Sequence, residues 1–200
     1  IDIDLENRGQ LINTTIQYSF SIAKGNGEYD KAAFGNQYVD APTQEYTMPY
    51  DRPHDLTVSL YSTNLPYNIT AGLNGYYQSG IPYTPQLEKG DGEPYDDELN
   101  KYSKRSPDYQ QIDLSISRDF SFRDMDFTFG LNVFNLFNAI NILDIYRETG
   151  EPDVRSEYFT KEIGLPEWPS FGTVSNSFYD RPWMYGTPRE INFFLRIDYR

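Results

Sequence analysis

Every second residue is large and apolar from Met125 to Val133, a stretch of nine residues. The residues between them are polar or small, so an extended chain would have one apolar face and one polar face here. A period of two over this length is typical of a half-buried β-strand. The strand runs on into an aromatic cluster beside polar side chains, formed by Phe134, Asn135, Phe137 and Asn138. Soluble sheets and membrane-embedded sheets both show such alternation, so the question is which solvent the apolar face contacts.

The alternation recurs along the chain, and Ile1–Leu5 carries a remnant of it. The more apolar positions of the other segments are Ile12, Thr14, Ile16, Tyr18, Phe20 and Ile22; Leu56, Val58 and Leu60; Tyr67, Ile69, Ala71, Leu73, Gly75 and Tyr77; Ile112, Leu114 and Ile116; and Ile191, Phe193, Leu195, Ile197 and Tyr199. The pattern predicts seven strands in an all-β chain, with signals for helices nearly absent.

Short and long connections alternate strictly between the predicted strands. The short ones suit tight turns and lie at Glu6–Gly9, Asn64–Pro66 and Phe122–Asp124. The long ones cover residues 24–50, 81–106 and 139–188. This alternation places all turns at one end of an antiparallel sheet and all long loops at the other. Outer-membrane barrels have this asymmetry, with short periplasmic turns and long extracellular loops. It favours an antiparallel transmembrane β-barrel, with a soluble β-sandwich that binds carbohydrate or protein as the alternative.

The odd number of strands indicates that the barrel extends beyond this chain. Bacterial single-chain barrels have an even number of strands and must close, because an unpaired strand edge is too costly in hydrocarbon. The seven predicted strands are therefore expected to be the C-terminal third of a larger barrel. The chain also begins at Ile1 without a Met or a signal peptide, which suggests a processed or truncated polypeptide.

The composition further limits the possible classes of protein and partner. Apolar residues make up 38% of the chain and the mean hydropathy is -0.68, which leaves little material for a large core. Aromatic residues reach 16%, more than disorder would tolerate and well suited to a boundary between water and an apolar phase. The net charge of -13 argues against nucleic acid as a partner. Cysteine is absent, which removes disulfides and thiolate zinc sites, and no apolar run approaches the roughly 18 residues of a membrane helix.

Several segments together resemble the C-terminal part of the barrel of TonB-dependent receptors, a family of the Gram-negative outer membrane. Residues 131–138, Leu-Asn-Val-Phe-Asn-Leu-Phe-Asn, resemble the recurrent late-barrel segment of the family. The other similar segments are Asn141–Tyr146 followed by Thr149–Pro152, the strand start Tyr50–His54, the strand exit Ser79–Pro85 and the entry to the final strand at Gly186–Arg189. Their order and spacing are more specific than any one of them, and they cover nearly the whole chain.

The resemblance implies a barrel of about 22 strands around a plugged lumen, with the last seven in this chain. It also implies capture of a scarce nutrient such as a siderophore, vitamin, glycan or peptide, with uptake past the plug driven by the TonB complex. The implied partners are outer-membrane lipid and lipopolysaccharide, the receptor's own plug domain, the TonB complex and a surface lipoprotein. The chain departs from the family in two respects. It contains no plug or TonB-contacting segment, and Arg200 follows Tyr199 where the family's barrels typically end on an aromatic residue.

Two groups of side chains are candidates for contact with other molecules. The first consists of aromatic residues in or beside the long loops, which are candidates for ligand contact or for the interface belt: Tyr83, Tyr95, Trp168 and Trp183. The second consists of polar residues on the wet face of the strands, which would face the lumen and its water or the plug: Asp113, Asp119, Asn192, Arg196 and Asp198.

Two further features have simpler interpretations. Asp91–Glu93 and Asp96–Glu98 form an acidic cluster that lacks the EF-hand spacing, so a solvated loop is expected rather than a calcium site. His54 is the only histidine, and no nucleophile-elbow pattern accompanies it. An outer-membrane enzyme centred on His54 is a rival hypothesis, but the sequence predicts no enzyme, no metal site and no cofactor.

Overall fold

Seven strands that follow one another in the sequence also lie side by side in space. A computed structural model describes residues 1–26, 45–89, 92–156 and 182–199. Its largest sheet is antiparallel and follows the chain order. The strands are β1 (Asp2–Arg8), β2 (Asn13–Phe20), β3 (His54–Leu65), β4 (Ile69–Gln78), β5 (Tyr109–Phe122), β6 (Met125–Phe134) and β7 (Glu190–Tyr199). The prediction of an all-β chain with a large antiparallel sheet is confirmed.

The connections between these strands alternate in length. The short ones cover residues 9–12, 66–68 and 123–124, and the long ones cover residues 21–53, 79–108 and 135–189. Because the sheet is antiparallel, the short connections share one end of the sheet, here called the turn end, and the long ones share the opposite loop end. The predicted turn at Glu6–Gly9 is wrong, because β1 pairs with β2 as far as Arg8 opposite Asn13.

The turn between β3 and β4 also differs from the prediction. Residues Pro66–Asn68 form a single 3-10 turn, in which Tyr67 and Asn68 have positive φ angles of 66° and 55°. The expectation that Tyr67 lies in a strand is therefore wrong. The turn begins with a proline, and the two residues after it have left-handed backbone conformations, so the chain reverses within three positions. Tyr67 therefore belongs to the turn and does not pair with β3, although it continues the alternation of β4.

Helical structure is minor in the described residues. It consists of 3-10 turns at Pro66–Asn68, Glu98–Asn100 and Pro182–Met184. Within that part of the chain, none of the helical segments has the length and apolar character needed to cross a membrane.

In the described parts of the long connections there are three small two-stranded sheets. Lys24–Gly25 pairs with Tyr46–Thr47 in the first. In the second, Pro82–Tyr83 pairs with Lys104–Arg105, and Gln86–Lys89 pairs with Gly92–Asp96. These pairings give the backbone of the long connections hydrogen-bond partners away from the large sheet.

The register of the sheet places its apolar residues on one face. Directly opposed residues of an antiparallel pair lie on the same face, so rows of partners can be followed across the sheet. One row joins Leu60, Leu73, Leu114, Val133 and Ile191, and the next row towards the turn end joins Ala71, Ile116, Leu131 and Phe193. These rows and their neighbours form a continuous surface over all seven strands, called the apolar face below.

The opposite, polar face is covered by hydrogen bonds between side chains of neighbouring strands. Ser19 donates to Asp2 at 2.6 Å, Ser59 to Asn74 at 2.9 Å, Gln78 to Asp55 at 2.8 Å and Thr128 to Asp119 at 2.6 Å. Such cross-strand pairs stabilise a given register, since a slip of one residue would bring apolar side chains onto this face.

Buried side chains are concentrated at the loop end. Apart from Ser62, Gly72 and Val133, every buried residue in the described part of the chain lies in a long connection. The apolar face of the sheet itself is open, with Phe193 80% and Ile197 54% exposed in β7. The large sheet therefore has no conventional core between two layers in the described residues.

Phe194 is the one aromatic residue of β7 on the polar face, and it lies opposite Gly130 of β6. A Cβ atom on Gly130 would be 2.0 Å from Cζ of Phe194, so the ring lies directly over the glycine backbone. An aromatic ring that covers a glycine on the neighbouring strand shields the exposed backbone and fixes the register of the pair.

We expect Gly130→Ala to destabilise the β6–β7 pair by about 1–3 kcal/mol, because the new methyl group forces the Phe194 ring out of its position. Gly75→Ala is the matched control, since the nearest atoms to a Cβ there are at 3.9 Å. The midpoint of thermal or denaturant unfolding measures the difference. An equal loss in both variants, or an undiminished loss for Gly130→Ala in a Phe194→Ala background, would contradict the contact.

Candidate functional site

The most buried charged group of the loop end is Asp51, which is 1% exposed. One of its carboxylate oxygens accepts the backbone N–H of Ala23, and the other pairs with the guanidinium of Arg105. Arg105 also donates to the backbone oxygens of Asp51 at 3.1 Å and Gly80 at 3.0 Å. The carboxylate therefore joins the first long connection to the second with its charge balanced.

A carboxylate next to β5 makes a second link at the loop end. Asp108 accepts the hydroxyl of Tyr77 at 2.7 Å and the backbone N–H of Gly80 at 2.9 Å. These two donors, the Tyr77 hydroxyl first, lower the pKa of Asp108, because they stabilise its charged form. The end of β4 and the start of β5 are thereby fixed to each other beyond their ladder.

Three asparagines hold the start of the third long connection. Asn135 is 1% exposed; its side chain accepts from the N–H of Ala139 at 2.8 Å and donates to the oxygens of Ala139 and Thr187. Asn138 accepts the N–H of Arg189 at 2.9 Å. Both residues have positive φ angles, a conformation that asparagine tolerates better than most residues. The segment that leaves β6 is consequently hydrogen-bonded to the segment that enters β7.

Asn141 completes this arrangement by acting on β5. Its side-chain oxygen accepts the N–H of Gln110 at 2.9 Å, and its side-chain nitrogen donates to the oxygen of Gln110 at 2.8 Å. The amide thus makes both bonds that a neighbouring strand would make. The backbone N–H of Leu136 bonds to Ile112 in addition, at 2.7 Å. At the loop end of β5, which β6 does not reach, backbone N–H and C=O groups find their hydrogen-bond partners in this way.

The five predicted lumen-facing side chains all lie on the polar face. Asp113 accepts from the backbone N–H of Asn135 at 2.9 Å and from Gln111 at 2.7 Å. Asp119 accepts from Thr128, as described above, and Asn192 donates to Glu190 at 2.7 Å. Arg196 and Asp198 form an exposed ion pair at 2.8 Å. Asp113 has a clear structural role, since its carboxylate fixes the backbone where β6 ends.

The three candidate aromatic residues that the structure describes lie in three different elements of the loop end. Tyr83 lies in a short strand opposite Lys104, with its hydroxyl against Gly150 of the third connection. Burial and the charge of Glu151 raise the pKa of Tyr83. Tyr95 lies opposite Leu87 and is 50% exposed, whereas Trp183 is 48% exposed in a 3-10 turn. Trp168 lies outside the described residues. Contact with a ligand stays a prediction for all four.

The second and third long connections are tied to each other by polar contacts. Arg147 donates to Asp96 at 3.1 Å, and its backbone oxygen accepts the N–H of Gln86 at 3.0 Å. Glu148, only 3% exposed at its side chain, pairs with Arg155 at 3.2 Å. The guanidinium of Arg155 lies 4.6 Å from the ring centre of Tyr146. These contacts give both connections a defined shape close to the sheet.

Two carboxylates of the acidic cluster, those of Asp96 and Asp97, make hydrogen bonds within and between the long connections. Asp97 caps a 3-10 turn by accepting from the backbone of Asn100 at 3.3 Å and from its side chain at 2.7 Å. Asp96 accepts from Gln86 at 2.9 Å as well as from Arg147. Asp91 lies outside the described residues. Across the described residues, no group of three or more acidic or histidine side chains is arranged to hold a metal ion.

His54 lies at the loop end of the apolar face beside aromatic rings. Its Nδ1 is 2.8 Å from the hydroxyl of Tyr18, and its ring centre is 5.3 Å from that of Phe20. The hydroxyl of Ser79 accepts the backbone N–H of His54. In the described part of the chain, the imidazole therefore meets tyrosine and phenylalanine, and no serine hydroxyl is directed at it.

Sequence reasoning missed the residues that organise the loop end, above all Asp51, Arg105, Asp108 and Asn141. The signal for Asn135 and Asn138 was present, because asparagine after a strand often adopts a left-handed conformation. The Asp51–Arg105 pair joins residues 54 positions apart, and nothing in the local sequence reveals such a partner.

Comparison of the chain with protein-family models, with curated proteins and with solved structures found no match.

We expect Asp51→Asn to loosen the first two long connections. The amide keeps the shape of the carboxylate but leaves the Arg105 charge uncompensated. The expected cost is about 3 kcal/mol, the lower end of the range for a broken buried pair, because Arg105 is partly exposed. Proteolytic cleavage within these connections should accelerate. Glu6→Gln, which breaks the exposed pair with Arg8, is the control and should change cleavage little; equal rates in both variants would argue against the role of Asp51.

The pH dependence of stability should show the contribution of Asp108. Because its pKa is lower in the folded chain, the contribution is complete above the unfolded value of about 3.9 and is lost as the pH falls through the folded value. Wild type should therefore lose more stability than Asp108→Asn when the pH is lowered from about 5 to about 3. Unfolding midpoints across this range test the expectation, with Asp124→Asn at the turn end as control. A parallel fall in wild type and Asp108→Asn would contradict it.

Proposed function

We propose that this chain is part of the β-barrel of a TonB-dependent receptor in the outer membrane of a Gram-negative bacterium. The receptor would capture a scarce nutrient, such as a siderophore, vitamin, glycan or peptide, and transport it actively. In this proposal the apolar face of the sheet contacts lipid, the polar face contacts the lumen and the plug, and the long connections are extracellular.

The observation that carries the proposal is the continuous apolar face, which no described segment of the chain covers. Its rows of aliphatic and aromatic side chains cross all seven strands, and the edge strand β7 exposes Phe193, Leu195 and Ile197 by half or more. A monomeric soluble protein rarely exposes a contiguous apolar patch beyond a few hundred square ångströms. Lipid is a solvent in which such a surface is stable, because the acyl chains are as apolar as the side chains that meet them.

Aromatic residues border this face at both ends. Tyr18, Phe20 and Tyr77 lie at the loop end, while Phe120, Phe127 and Phe129 stack at the turn end with ring centres 5.0 and 5.5 Å apart. Rings of this kind are enriched where a membrane meets water. Along β5, the aromatic residues of the loop end and those of the turn end are separated by ten residues, a length of roughly 33 Å. At a typical barrel tilt this length corresponds to a height of roughly 25 Å across the membrane, which matches the height of the apolar band of outer-membrane barrels.

The polar face and the loop end support the same proposal. In the described strands of the large sheet, the Asp, Glu, Lys and Arg side chains lie on the polar face with the exception of Arg118. Asp119, Arg196 and Asp198 on that face would be costly in hydrocarbon but are well solvated in an aqueous lumen. The long connections carry most of the buried residues, so they form a surface of defined shape at the loop end of the sheet.

Single cysteines would test which face contacts lipid. The chain has no cysteine, so each variant carries one thiol for a nitroxide label. Leu131 and Asn132 are adjacent in β6 and lie on the apolar and the polar face. With the whole receptor that contains this chain reconstituted in lipid vesicles, and any cysteine elsewhere in it replaced, we expect the label at Leu131→Cys to be accessible to molecular oxygen and shielded from a water-soluble nickel complex, with the reverse at Asn132→Cys.

The same experiment separates the proposal from the soluble alternative. A β-sandwich would cover its apolar face with a second sheet, remain monomeric in buffer without detergent and show no difference in oxygen accessibility between the two labels. That result would overturn the lipid contact on which the proposed transport function depends.

A further inference from the structure

Two depressions adjoin each other at the loop end of the apolar face. The first is a groove of about 490 Å³ with almost wholly apolar walls. Its apolar side chains come from β3, β4, β5 and the third connection: Leu56, Val58, Leu73, Tyr77, Ile112 and Phe137. The volume lies within the range of sites that bind small ligands.

The groove exists because Gly75 has no side chain between Val58 and Ile112. A Cβ atom added at Gly75 would have its nearest neighbours at 3.9 Å, so there is room for further atoms above it. Phe137 forms the wall at the loop end and is 72% exposed. The backbone bond from Leu136 to Ile112 and the contacts of Asn135 fix the segment that carries this ring.

The second depression, of about 510 Å³, shares Ala139 with the first and has one cationic residue, Arg189, in its lining. Its lining includes Ile140, which is 73% exposed, and Ile191 of the apolar face. Arg189 lies in this lining, with its backbone N–H held by Asn138 at 2.9 Å. Among the described residues, no carboxylate forms an ion pair with the Arg189 side chain.

We propose that these joined depressions bind one anionic membrane lipid, with an acyl chain in the groove and the phosphate of its headgroup at Arg189. The inference rests on the proposed function, because it places the apolar face in a membrane. The groove is apolar, and Arg189 lies in the lining of the adjoining depression. An anionic lipid has the matching order of chemical groups, an apolar acyl chain followed by a negatively charged phosphate. Phe137 and Ile140 extend the apolar contact towards the headgroup level.

The charge of the chain makes this position selective. A chain with a net charge of -13 repels anionic headgroups over most of its surface. A guanidinium is well suited to phosphate, since its planar donors match the phosphate oxygens. Arg118, the arginine of the described strands that lies on the apolar face, is opposite Phe129 at the turn end and is thus remote from the groove.

The test compares lipid retention by wild type, Arg189→Gln and Arg196→Gln. Arg196 lies on the polar face of β7, the strand that Arg189 directly precedes, so its variant removes the same charge without touching the groove. The whole receptor that contains this chain is reconstituted in vesicles of equal parts phosphatidylglycerol and phosphatidylcholine, and the bound lipid is counted by native mass spectrometry. We expect wild type and Arg196→Gln to retain phosphatidylglycerol preferentially and Arg189→Gln to lose at least three-quarters of that preference.

Two further arms separate the parts of the site. Gly75→Leu fills the groove and should reduce retention of both lipids, while an excess of inorganic phosphate should not displace phosphatidylglycerol, because phosphate alone cannot use the groove. Displacement by phosphate would reduce the site to an anion site and overturn the lipid proposal. Equal retention by Arg189→Gln and Arg196→Gln would overturn it as well.

The proposed function and the lipid site fail in different ways. If the labels at Leu131 and Asn132 show no lipid contact, both proposals are wrong. If those labels report the membrane but wild type retains no excess phosphatidylglycerol, the lipid site alone is wrong and the barrel proposal stands.

Discussion

The register between neighbouring strands is the constraint on which the whole sheet depends. Side chains alternate between faces with a period of two, so a slip by one residue would move an entire strand's apolar set to the other face. Side-chain bonds such as Ser59 to Asn74 and Gln78 to Asp55 stabilise the observed pairing. The ring of Phe194 over Gly130 does the same for the last pair of strands. Everything at the loop end is positioned by strands whose relative offset these contacts fix.

In the part of the chain that the structure describes, the sheet has no core between layers, and the loop end compensates for this. Its buried residues are mostly polar, and their bonds run between segments far apart in sequence, as with Asp51 and Arg105. Buried polar groups with all their partners in place specify one arrangement, because any other arrangement leaves a donor or acceptor unsatisfied. The long connections therefore have a definite shape although they contain few regular elements.

Much of the sheet could be predicted from the sequence, because alternation is a local signal. The segment around Leu131 and Val133 shows its two faces within nine residues, and its partners show theirs in the same way. The turn at Tyr67 was mispredicted, since the preceding proline and a left-handed backbone override the alternation there. At the end of β1 the opposite error occurred, because polar residues suggested a turn where Glu6 still pairs with Thr15.

The candidate site was much less accessible to prediction. Aromatic residues such as Tyr83 and Tyr95 could be recognised as members of loops, but their distances and orientations depend on how two connections pack together. The acidic cluster offered no hint that Asp96 would bind Arg147, 51 positions away, or that Asp97 would cap a turn. Long-range polar pairs depend on the fold and leave no periodic trace in the sequence.

The bond pair between Asn141 and Gln110 has a mechanical consequence. Elsewhere a strand is held by a ladder, in which many bonds must break in sequence before a neighbour separates. At the loop end of β5, both bonds are made by one side-chain amide, that of Asn141. A rotation of this side chain would therefore release the two bonds together and leave the rest of the ladder intact. The third connection is thus held to β5 by two kinds of contact, the bonds of Leu136 and Asn135 close to the end of β6 and the single amide of Asn141 further along, and only the latter depends on one side-chain rotation.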